Sequence, residues 1–99
     1  MTESLVPQVR EKLDEIVEEE TTRKLGELNI VSEVVEAPEG EVTIKFAPLS
    51  PYSPTAVETG RRMREAALRV EGVKSVKVEC GGHMLDELVN RLVNKQQKE

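Results

Sequence analysis

EVTIKFAPLSPYSPTAVETGRRMREAALRVEGVKSVKVECGGH, residues 41–83, decides the fold. Val42, Ile44 and Phe46 alternate with Thr43 and Lys45, the period of a strand with one buried face. Pro48, Pro51 and Pro54 end that strand and stiffen the loop LSPYSP. Residues 55–70 then read as a helix with Val57, Gly60, Met63, Ala67 and Val70 on one face. Ser53 ahead of Pro54 suits an N-cap, and Thr55 with Glu58 offers a competing capping box, so the helix has two possible starts. Gly72 closes the helix. Val73, Val76, Val78 and Cys80 form the next strand, whose period puts the last three on one face. Strand, helix and strand make a crossover, which is right-handed when both strands share a sheet and run parallel. The ends of both strands then meet, so LSPYSP and CGGH become neighbours although about thirty residues separate them.

Upstream, Leu5, Val9, Leu13, Ile16 and Val17 recur at spacings of three and four, predicting an amphipathic helix over residues 4–20. Glu11, Asp14, Glu15, Glu18, Glu19 and Glu20 fall on its polar face, expected to be solvated. TTRKLGELN breaks the period and leads into a Val- and Ile-rich strand at residues 30–36. Ala37, Pro38, Glu39 and Gly40 turn that strand into the one at residue 42, making a hairpin. Downstream, Gly81 and Gly82 lead into a last helix with the stripe Leu85, Leu88, Val89, Leu92 and Val93, and the tail KQQKE is expected to fray. The whole reads as one α+β domain, residues 1–99, two-layered in the order α-β-β-α-β-α, with a three-stranded mixed sheet covered by helices.

Composition narrows the function. The 99 residues suffice for one core, which one Tyr, one Phe and no Trp leave to Val, Leu, Ile and Ala. A net charge of −5, without a Lys/Arg run, argues against a nucleic-acid partner. No window resembles a membrane span or a signal sequence, and one cysteine makes no internal disulfide, which together point to the cytoplasm.

Catalysis finds little to work with. Cys80 is the sole thiol and His83 the sole histidine, and the strand period turns Cys80 towards the core. His83 is expected to be a solvent-exposed helix-start residue. These two are the only metal-ligand candidates, short of the four ligands that zinc or a cluster takes, so neither cofactor nor resident metal is expected. The carboxylates lie on helix faces with no apolar pocket to set one apart for acid–base work. We expect a protein that is not an enzyme.

Several strings together resemble the iron–sulfur assembly family that includes SufT and PaaD and shares its fold with the C-terminal domain of NifU. REKLDEIVEEE and KLGELNIVSEVV resemble the family's opening helix and its entry into the first strand. EVTIKFAPLSPYSPTA resembles its second strand and "LTSPxCP" loop, and LRVEGVKSVKV its third strand. The likeness runs over roughly residues 9–78. The family's loop cysteine falls at Ser53, and TTR stands where an acidic-proline pair is usual. Serine keeps the polarity but lacks the soft, ionisable ligand. A cysteine restored at Ser53 is expected to be reactive, because a helix N-terminus stabilises a thiolate.

The resemblance implies a non-enzymatic accessory or adaptor that acts by contact with the assembly machinery or a client protein, with a homodimer possible. The alternative is an interaction module without metal chemistry that binds a peptide or small anion at the loop 50–55 edge. Either way, the expected working surface is Ser50, Tyr52, Ser53 and Thr55 together with Gly81, Gly82 and His83. It gathers two helix starts, three hydroxyls and the only tyrosine and histidine at the ends of parallel strands.

Overall fold

Val42, Ile44 and Phe46 are buried along a central strand flanked by two others in a three-stranded sheet. The computed structural model describes residues 5–19 and 21–94. The strands are β1 (Val31–Ala37), β2 (Glu41–Phe46) and β3 (Ser75–Cys80), in that spatial order. β1 pairs antiparallel with β2, and β3 pairs parallel with it, so that Ile44 meets Val34 on one side and Val78 on the other. The helices are α1 (Val6–Asp14), α2 (Leu25–Leu28), α3 (Ala56–Leu68) and α4 (Asp86–Asn94). α3 makes the crossover between β2 and β3. Helices cover one face of the sheet. The opposite face is wet, with exposed ion pairs such as Lys45–Glu33 at 3.6 Å, which contribute little to stability.

The crossover stretch folds as its pattern predicts, but the first helix does not. α1 stops at Asp14 rather than running through residues 15–20. An acidic run at a helix C-terminus opposes the macrodipole, and Glu15, Glu18 and Glu19 would have stood there. Instead the chain turns back on itself: Glu18 N–H donates to Arg23 O at 2.8 Å, and Val17 bridges to Lys24. Glu18 is consequently buried rather than solvated. Ser4, Glu20 and the expected fraying tail lie outside the described residues. A short helix, α2, fills what reads in sequence as a break, and Asn29 ends it in the left-handed region at φ 55°. Val73 precedes β3 instead of joining it.

α4 buries two of the five residues of its expected stripe. Val89 and Val93 face the core, while Leu85 and Leu88 stay exposed. The helix is rotated so that Asn90 and Asn94 reach the outer edge of β3. Asn94 Oδ1 accepts from Val78 N–H at 2.8 Å, and its Nδ2 donates to Val78 O at 2.7 Å. Asn90 meets the N–H and carbonyl of Cys80 in the same way. The two periods match: four helical residues rise about 6 Å, and two residues of parallel strand rise about 6.6 Å. Close approach of α4 to α3 needs Gly60, where a methyl group would lie 2.7 Å from Val93 Cγ2.

The β1–β2 hairpin turns through Pro38–Gly40, with Glu39 at φ 67° and Gly40 at φ 79°. A side chain at Gly40 would come within 2.5 Å of the carbonyl oxygen of Gly72, on the loop between α3 and β3. Gly40→Ala therefore combines a left-handed alanine with a backbone clash, and we expect a loss of about 1–3 kcal/mol in urea unfolding. Gly81→Ala, where nothing lies within 4 Å, should stay within about 0.5 kcal/mol of the parent.

Candidate functional site

LSPYSP and CGGH do lie side by side, and hydrogen bonds pin them together. Gly81 N–H donates to Phe46 O at 2.9 Å, which carries the β2–β3 ladder one step past β3. Met84 N–H donates to Pro51 O at 2.8 Å. Leu85 N–H donates to His83 Nδ1 at 3.0 Å, so the ring proton sits on Nε2, from which it reaches Ser53 O at 3.0 Å. His83 is half-buried and engaged at both ring nitrogens, not the solvent-exposed helix-start residue of the sequence reading. α4 begins three residues later at Asp86, whose Oδ1 accepts from His83 N–H at 2.7 Å.

The loop is folded on itself as well. Tyr52 N–H donates to Ser50 Oγ at 3.1 Å and Ser53 N–H to Ser50 O at 3.1 Å, a tight turn that throws Tyr52 outward, 70% exposed. Ser53 goes the other way and is buried. Thr55 occupies the N-cap position of α3, but neither it nor Ser53 caps the helix with its side chain. Thr55 Oγ1 donates to Glu18 Oε2 at 3.0 Å, which leaves Ser53 Oγ, at 3.4 Å, to donate to Thr55. Glu18 Oε1 accepts from Thr21 N–H at 2.8 Å. Glu18, Ser53, Thr55 and Thr59 thus share a dent of about 10 Å³, room for about one water.

Of the seven surface residues expected from sequence, Tyr52, Gly81 and Gly82 are exposed. Ser50, Thr55 and His83 are half-buried, and Ser53 lies underneath. Sequence reasoning missed Glu18, because the helical period assigned it to solvent. It also missed Asn90 and Asn94, although two amides four residues apart beside the valine stripe were a legible sign of a polar contact.

The two soft donors are both engaged within the fold, His83 at both ring nitrogens and Cys80 beside Asp86. The Cys80 thiol is pushed up to about 11, first by burial, then by the nearby Asp86 carboxylate, which also accepts its hydrogen bond. Among the described residues, no group of three or more His, Cys, Asp or Glu could hold an ion. Both helix starts carry a carboxylate, Glu18 below α3 and Asp86 at α4, which opposes an anion there.

The fold and site define a two-layer α+β domain whose proline loop is pinned to the end of a parallel strand. Residues 7–80 match the family described as iron–sulfur cluster assembly protein, and the chain belongs to that family. An uncharacterised protein of Methanocaldococcus jannaschii is 27% identical over 71 residues, covering 72% of this chain and 75% of that one. The crystal structure of a domain of unknown function, DUF59, from Bacillus anthracis shares the fold. Its TM-score is 0.71 at 16% identity, over 88% of this chain and 85% of that one.

Two thiol experiments follow from this geometry. Cys80 favours its neutral form in the fold, so its contribution is intact below pH 9, the ordinary thiol value, and is lost as pH rises through about 11. Unfolding free energy should fall across that window, and the fall should vanish in Cys80→Ala. The second reverses the sequence expectation for Ser53. A thiol there meets burial and a hydroxyl chain to Glu18, which oppose the thiolate, and it lies three residues before the first residue of α3. Ser53→Cys should alkylate more slowly than a small-molecule thiol, and Glu18→Gln should speed it.

Proposed function

We propose that this chain is a non-enzymatic accessory or adaptor of iron–sulfur cluster assembly, cytoplasmic, acting through contact with a protein partner. Its contact surface is the edge formed by Ser50, Tyr52, Ser53, Thr55, Gly81, Gly82 and His83. Family membership supports the process. One observation carries the mode of action: the Ser53, Thr55 and His83 side chains of this edge are spent internally, and large, mainly apolar side chains face out. Ser53 and Thr55 hydroxyls run to Glu18, and both His83 nitrogens hold backbone groups. Tyr52 and Met84, in contrast, are 70% and 66% exposed on the two pinned segments.

An apolar pair on a rigid support is how a protein contact is anchored, since aromatic residues carry much of the binding energy and a pre-ordered loop loses little entropy. The same edge offers no activated nucleophile, because its neighbouring thiol is held neutral first by burial and then by Asp86. In this reading Ser53, where the resemblance places the family's loop cysteine, shapes the surface from beneath and passes no cluster. The partner, a scaffold or a client, contributes the cluster ligands, and the cluster is cargo.

The test is titration of the isotopically labelled chain with a cluster-loaded assembly scaffold, following backbone amides. Shifts should centre on Tyr52, Gly81 and Gly82, and Tyr52→Ala should weaken binding about tenfold or more. Shifts confined to Glu11 and Asp14 on α1 and to the adjoining Glu15, with Tyr52 unmoved, would move the docking surface to that acidic helix and refute the proposal.

A further inference from the structure

We propose that the outer face of α4 docks a second copy of this chain, helix against helix in antiparallel orientation. α4 has two faces with different tasks. Val89 and Val93 go into the core and Asn90 and Asn94 onto β3, which fixes the helix rigidly. On the other side Leu85 and Leu88 are 56% and 43% exposed, and Leu92 is half-buried. Their spacing of three and four is that of a helix–helix seam. A shallow groove of about 440 Å³ runs along this face, with Met84, Leu88 and Arg91 on its walls.

Charge selects the occupant. Glu87 lies in the first turn of α4 and Arg91 in the last. They are four residues apart and could pair within the helix, yet among the described residues neither forms an ion pair. A two-fold axis between Leu88 and Val89 sets Leu85 of each copy against Leu92 of the other. It also brings Glu87 of each copy within reach of Arg91 of the other. A parallel pair would stack Glu87 on Glu87 and Arg91 on Arg91. The face is thus self-complementary in apolar spacing and in charge, the condition for an isologous dimer. A helix of nine residues offers much less than the roughly 800 Å² per partner of a tight interface, so the dimer is a micromolar one.

Sedimentation equilibrium of the full chain over a wide concentration range tests this. Wild type should show reversible monomer–dimer exchange, and Leu88→Asp should be monomeric, with an amide spectrum that keeps the Asn90 and Asn94 side-chain signals. Glu87→Lys and Arg91→Glu should each weaken the dimer about three- to tenfold, from two exposed pairs per dimer. The double exchange should restore it. A wild type monomeric throughout, a dimer indifferent to Leu88→Asp, or a double exchange as weak as the singles would each overturn the proposal. So would outer leucines that respond only to an added assembly scaffold. Tyr52→Ala reads partner binding separately, so the two proposals fail independently.

Discussion

Two parallel strands cannot be joined by a tight turn; the chain must cross the sheet and return. That constraint on β2 and β3 organises most of this molecule. It requires α3, gives α3 a face to bury, and stacks the exits of both strands at one end of the sheet. The proline loop and the diglycine turn are neighbours because of it. The hydrogen bonds between them, from Met84 to Pro51 and from His83 to Ser53, close a contact already made inevitable by topology.

This explains which parts could be read in advance. β2, α3 and β3 each bury one face only, so their periods survive in the sequence as alternation or as a helical stripe. The parallel pairing of β2 and β3 then supplied the juxtaposition of loop and turn. α1 misled because Ile16 and Val17 continue its period past Asp14, although the chain has left the helix. Periodicity records which residues are apolar, and a strand-like return can use them too. Glu18 was illegible for a related reason. A carboxylate is placed in solvent by default, and its bond to the hydroxyl of Thr55, 37 residues away, is invisible in the sequence. His83 was assigned to solvent because a lone imidazole beside two glycines carries no mark of its two partners.

The buried polar chain from Ser53 through Thr55 to Glu18 ties three segments that share no secondary structure: the return after α1, the proline loop and the start of α3. Burying a carboxylate is costly unless its oxygens are answered, and here each is. Among the described residues, no buried side-chain oxygen or nitrogen lacks a partner. The site is therefore held by specific donors and acceptors, which keeps Tyr52 fixed on its turn while the alcohols stay inside.

The amides of Asn90 and Asn94 are chemically peptide groups without a chain, and on β3 they stand in for an absent fourth strand. The family match ends at Cys80, before that stand-in begins. An edge already occupied cannot recruit an extended segment, so only the β1 edge is left to resist strand addition by other means. There the ladder slips between Val31 and Glu33. A bulge and a charged residue are the usual deterrents to strand addition. The two ends of a three-stranded sheet are thus closed by unlike means, one by mimicry and the other by irregularity.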